Sequence, residues 1–172
     1  MGDFSFRLSK LICLFFLLFI GFVVKGQNSN FINYGVEDGL IMSQIETVVQ
    51  DNKGNLWIGT IGGLSKYNGV SFINYTQKDS LAEDWITCSF KDKDGDIWFG
   101  HWGGGVTVWD SKKEVFIDKK LENQSKFKLI TSICQDKNGV VWFLTESAEL
   151  FSFNKDDNSS AIYELGNNTT KG

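Results

Sequence analysis

Asp92-Lys93-Asp94-Gly95-Asp96 puts three carboxylates within five residues, and oxygen ligands at that density suit a hard cation such as Ca²⁺. The same stretch returns as Asp51-Asn52-Lys53-Gly54-Asn55 and as Asp136-Lys137-Asn138-Gly139-Val140, where only the first aspartate and the glycine recur. What recurs is the part a tight turn needs: a side-chain acceptor and a residue tolerant of positive φ. The turn is therefore the better reading, and no metal ligand is assigned. Gly62-Gly63 and Gly103-Gly104-Gly105 lack the following helix and Lys-Ser/Thr of a phosphate cradle. His101, the single histidine, has no partner nucleophile or second ligand in a recognisable motif. No catalytic residue and no cofactor site are expected. Trp85 and Trp102 do not recur, unlike Trp57, Trp98 and Trp142, so packing common to all repeats does not explain them. They either cover the ends of the repeats or face a ligand.

The elements that carry these residues follow from the repeat. Asp-x-x-Gly-x-[Leu/Ile/Val]-Trp-[Ile/Phe] occurs three times, its tryptophans 41 and 44 residues apart. A period in the low forties made of short β-like runs and tight turns is that of a four-stranded propeller blade. The first strands read Ile45–Gln50, Ile86–Lys91 and Ile130–Gln135. One alternating face carries Ile45/Ile86/Ile130, Thr47/Cys88/Ser132 and Val49/Phe90/Cys134. Second strands are expected at 55–60, 96–101 and 140–145, third strands at 64–67, 106–109 and 150–153, and outer strands at 71–75, 114–117 and 161–165. Phe31-Ile32-Asn33-Tyr34 repeats Phe72-Ile73-Asn74-Tyr75 letter for letter and is expected to be an extra outer strand. The fold class is thus all-β, a partial propeller at 27–172 with blades at about 45–75, 86–117 and 130–165. Four to eight blades close a ring. Three leave an open flank on each side, so the chain reads as a fragment that joins further blades or self-associates.

Before the blades, Arg7 and Lys10 precede an uncharged run from Leu11 to Val24, followed by Lys25-Gly26-Gln27. This reads as a signal peptide over 1–26, with an uncleaved anchor as the alternative. Without it the chain keeps 14 basic and 20 acidic residues, a net charge near −6. That charge excludes nucleic acid as a partner. Cys88 and Cys134 are expected as buried free thiols rather than a bridge.

The stretch from Gly39 to Gly69 (Gly-Leu, Gln-Asp-x-x-Gly-x-Leu-Trp-Ile-Gly-Thr-x-Gly-Gly-Leu-x-x-Tyr-x-Gly) resembles the two-component regulator propeller repeat, and the resemblance runs from about Phe31 to Leu165. His101 departs from its threonine and Leu144 from its glycine. The resemblance implies a periplasmic or outward-facing sensor that detects a nutrient, an oligosaccharide, and signals to a histidine kinase outside this chain. The alternatives are a secreted scaffold that binds a protein partner and, least favoured, a glycan-active enzyme. The Asp-x-x-Gly-x-x-Trp turn also resembles the Asp-box of sialidase-type propellers, but those enzymes need an arginine cluster and the chain has no arginine after Arg7. If the ring binds a small ligand, the loops after the second and fourth strands are expected to hold it, because they vary while the opposite turns repeat. Asp84, Trp85, His101, Trp102 and Glu146 collect there, a set suited to stacking on a sugar and bonding its hydroxyls.

Overall fold

Residues 31–119 and 129–164 are described by the structure, a computed structural model. The expected signal peptide at 1–26, the loop residues 120–128 and Leu165 lie outside them. Among the described residues, twelve strands form three open antiparallel sheets. The first holds β1 (Ile45–Gln50), β2 (Leu56–Thr60), β3 (Gly63–Tyr67) and β4 (Phe72–Tyr75), in that order. The second holds β5 (Ile86–Lys91), β6 (Ile97–His101), β7 (Val106–Asp110) and β8 (Val115–Lys119), and the third β9 (Ile130–Gln135), β10 (Val141–Thr145), β11 (Glu149–Phe153) and β12 (Ser160–Glu164). Each strand pairs with its sequence neighbour, the pattern of a propeller blade.

The repeat aspartate holds each β1–β2-type turn together. Asp92 Oδ1 accepts the N–H groups of Asp94 (2.9 Å) and Asp96 (3.0 Å), and Oδ2 accepts the indole N–H of Trp98 at 2.9 Å. Asp51 does the same for Lys53, Asn55 and Trp57, and Asp136 for Asn138, Val140 and Trp142. Gly54, Gly95 and Gly139 take φ of 87°, 88° and 89°, the left-handed conformation the turn requires. One carboxylate thus fixes both the turn and the tryptophan six residues on.

That tryptophan packs across to the following blade. Trp57 meets Phe99, Trp109 and Phe116 of blade two. Trp98 meets Phe143 and Phe153 of blade three. The two interblade cores gather around these contacts, one with Leu64, Ile86 and Ile97, the other with Val106, Val108, Ile130 and Val141. Where the next blade would stand, Trp142 is half-buried and rests on Tyr163 of its own blade.

Strict alternation along the inner strands does not hold. A bulge between Ile45 and Thr47, repeated between Ile86 and Cys88, puts one extra residue into the strand. It reverses the facing, so Ile86 turns back onto Gly59 of blade one while Cys88 turns forward toward Ile130 of blade three. Two further expectations are corrected. Residues 31–34 form no strand, since no neighbouring edge pairs with them, and Phe31 and Ile32 are exposed. Cys134 is free but exposed rather than buried, because the blade that would cover its face is absent from the described residues; Cys88, also free, is half-buried.

The segment before the inner strand also repeats between blades one and two. Val36–Asp38 and Gln77–Asp79 are single 3₁₀ turns, each closed by an aspartate that accepts the N–H of the residue before the turn, Gly35 or Thr76. Leu40 and Leu81 follow, both buried. Tyr34 lies edge-on to Phe72 at 71°, as Tyr75 lies edge-on to Phe116 at 70°.

Candidate functional site

The loop after the fourth strand of blade one and the loop after the second strand of blade two bring Trp85 and Trp102 together. Trp85 ends the loop into β5, and Trp102 opens the loop after β6. The N–H of Trp102 donates to the Trp85 carbonyl at 3.0 Å, and the rings stack with centroids 4.2 Å apart and planes 9° from parallel. Each covers one face of the other, yet Trp102 remains 45% exposed, so its accessible area lies on the second face and the edge. Gly104 and Gly105, at φ 82° and 89°, turn the chain back into β7 directly after this ring.

Three further side chains were expected on this end, and they do different things. Asp84 accepts the N–H of Gln77 at 2.7 Å and so closes its own loop. His101 is not on the surface: it is the last residue of β6 and fully buried. Its Nε2 lies 2.9 Å from Thr107 Oγ1, a hydroxyl that also accepts the N–H of Ala82 at 2.9 Å, while Nδ1 has no hydrogen-bond partner among the described residues. Burial pushes the imidazole down to about 4, and the Glu83 backbone and the charge of Asp84 offset only part of that. The ring is neutral at pH 7 and braces the loop from below. Thr60 and Thr145 hold the equivalent position in blades one and three with hydroxyl bonds to Gly63 O and Glu149 O. Glu146 is exposed on the corresponding loop of blade three, its N–H tied to Leu129 O at 3.1 Å.

Glu83 is the residue missed by sequence reading. Its carboxylate comes so close to Gly103 that a Cβ there would lie 3.1 Å from Oε2. The signal was its place beside Asp84 and Trp85 in a loop already singled out; the glycine contact that brings it to Trp102 was not visible. The stacked pair therefore carries a carboxylate at its margin.

At the opposite end, the acidic turn of blade two is occupied by a side chain of blade three. Lys155 Nζ bonds Asp92 Oδ2 at 2.7 Å and Asp94 Oδ2 and Asp96 Oδ2 at 2.9 Å each. Burial opposes the charge on Lys155, but the three carboxylates outweigh it and raise its pKa; Lys155 in turn lowers those of Asp94 and Asp96. Between blades one and two, a cavity of about 240 Å³ is lined by Asp51, Lys53, Lys66, Trp109 and Ser111 among others. Lys66 lies over the rings of Trp57 (4.8 Å) and Trp109 (5.2 Å), a cation–π contact that also spans the two blades.

Comparison with known proteins agrees with this architecture. The two component regulator propeller profile matches residues 39–62, 80–103 and 126–147. These three stretches are two-component regulator propeller repeats, and the fold of the described residues is the all-β blade arrangement of a propeller. The histidine kinase P4 of Formosa agariphila is 42% identical over 53 residues, which is 30% of this chain and 4% of that protein. Among solved structures, the extracellular domain of a hybrid two-component system of B. thetaiotaomicron matches with a TM-score of 0.68 at 21% identity, covering 78% of this chain and 19% of that one. Virginiamycin B lyase of Staphylococcus aureus matches with a TM-score of 0.59 at 21% identity, covering 72% of this chain and 42% of that one. The chain thus spans a small part of the kinase and about a fifth of the sensor domain.

Proposed function

We propose that this chain is part of the ligand-binding propeller of an extracytoplasmic sensor, that it binds an oligosaccharide at the Trp85–Trp102 end, and that it passes the signal to a histidine kinase. The observation that carries this reading is the stacked indole pair with one open face, fixed by a backbone hydrogen bond on the variable-loop end of a rigid blade. An apolar platform with the Glu83 carboxylate beside Gly103 suits the C–H face and hydroxyls of a pyranose. The repeat match and the likeness to an extracellular two-component domain support the sensor assignment. A non-enzymatic role fits the same residues: the only histidine is buried and neutral, and Asp92, Asp94 and Asp96 are engaged by Lys155.

Binding of a panel of neutral oligosaccharides, followed by calorimetry on the full-length protein, tests this. Trp102→Ala is expected to weaken binding by about tenfold or more, near 1.4 kcal/mol, with the melting temperature within a degree or two of wild type. Trp85→Ala should weaken it as well. Normal binding by both variants would remove the platform, and capture of a protein partner alone, with no glycan bound, would favour a scaffold.

A further inference from the structure

Two glycines set how closely the blades approach, and the third blade lacks its own. In blade one a Cβ on Gly59 would lie 2.6 Å from Ile86 Cγ2 and 2.9 Å from Ile86 Cβ, separations that real atoms do not adopt. In blade two a Cβ on Gly100 would lie 2.7 Å from Ile130 Cγ2 and 2.8 Å from Ile130 Cβ. Each seam therefore works as a hole and a knob: glycine opposite the third residue of the bulged inner strand (Gly59 across from Thr47, Gly100 across from Cys88) receives the first isoleucine of the next blade. Ile86 and Ile130 are fully buried as a result. The equivalent of Gly59 and Gly100 in blade three is Leu144, which pairs with Ser132 as Gly100 pairs with Cys88.

We infer that the flank of blade three accepts only a blade with the knob and hole exchanged: a four-stranded blade of the same repeat that carries glycine where the blades of this chain begin their inner strand with isoleucine. The rest of the flank is built like the earlier seams and points to the same kind of occupant. Trp142 is clasped by Asp136 at 3.1 Å, Cys134 stands where Val49 and Phe90 enter the earlier cores, and Tyr163, on the same face as Trp142 and Leu144, is 45% exposed. Leu144 alone differs, and it differs by the one group that the regular packing excludes. A second copy of this chain presents Ile45, 48% exposed and equivalent to Ile86 and Ile130, so it does not seat in register. Leu144 thereby blocks the head-to-tail self-association that two complementary open flanks would otherwise favour.

The test is association of the intact chain at matched concentration, read by sedimentation velocity and by a trans cross-link. Thr47 Oγ1 and Ser89 Oγ are 2.7 Å apart across the first seam. Ser132 and Val48 are the corresponding pair between copies, so a Ser132→Cys, Val48→Cys chain with Cys134→Ser reports seating in register. Wild type with these reporters should give little dimer cross-link. Leu144→Gly should restore the hole and tighten head-to-tail association by about tenfold or more, and Leu144→Ala, which keeps the Cβ, should not. Ile45→Gly supplies the exchanged partner on an exposed residue, so it should associate as well and carries the test if Leu144→Gly fails to fold. A wild-type chain that cross-links as readily as the glycine variants overturns the inference. So does a Leu144→Ala chain that matches Leu144→Gly, or a failure of both glycine variants to gain.

Discussion

A single aspartate per blade makes three hydrogen bonds of different kinds, two to backbone N–H groups and one to an indole, so turn and core share one residue. His101 shows the converse, a polar side chain whose place is set by packing. Its pKa falls from 6.5 in the unfolded chain to about 4 in the native one, and burial is the chief cause. Above pH 6.5 both states are neutral and the residue adds no pH dependence. As pH falls from 6.5 toward 4 the unfolded chain binds a proton that the native chain refuses, so stability drops, by up to about 3 kcal/mol at one pKa unit per 1.4 kcal/mol. Urea unfolding at pH 7.5 and 4.5 should show this loss in wild type and not in His101→Thr, which places at this position the residue found at 60 and 145. A variant with the same slope would assign the loss to other groups.

At the scale of elements, the turns and strands were legible because their signals are local. The Asp-x-x-Gly spacing announces a tight turn, and β-branched and aromatic runs announce strands, so the inner three strands of each blade fall within a residue or two of their expected bounds. The bulge after Ile45 and Ile86 was not legible, since a two-residue period assumes an unbroken ladder. The Asp92-Asp94-Asp96 cluster was read correctly as a turn, but its neutralising partner lies about sixty residues away, beyond any local pattern. The candidate site shows the same division. That Trp85 and Trp102 were unexplained by the repeat could be read from their failure to recur, whereas their stacking, the burial of His101 and the approach of Glu83 depend on loop conformation. Lys155→Met should destabilise the chain by about 2–3 kcal/mol: Asp92 is inaccessible and loses a charged partner, while the partial exposure of Lys155 and Asp94 reduces the effect. Because Asp94 and Asp96 have lowered pKa values, their contribution is present at neutral pH and fades as pH falls below about 4. The gap between wild type and Lys155→Met, measured by denaturant midpoints, should narrow there.

At the scale of the molecule, stability is unevenly shared. Blade two packs on both faces, against Trp57 and Leu64 on one side and Phe143 and Phe153 on the other. Blades one and three each keep an outer face that exposes apolar side chains, among them Val48 on one and Tyr163 on the other. In stacked repeats each unit is held by its neighbours, so the doubly packed blade should open last. Native-state hydrogen exchange should find the slowest amides in β6 and β7 and faster exchange in β9 and β12. Uniform protection across all three sheets would instead mark the blades as one cooperative block.

The seating of Tyr34 on Phe72 has a consequence for how such a chain grows. Because Tyr34 stands on blade one as Tyr75 stands on blade two, and each leads into the same 3₁₀ turn and buried leucine, the structural unit runs from Tyr34 to Asn74 rather than from strand to strand. A gene duplicated at those two tyrosines inserts a whole cassette whose ends already match, with the Gly59 hole and the isoleucine knob both in place. Cuts at the strand boundaries would instead separate each turn from the blade it closes.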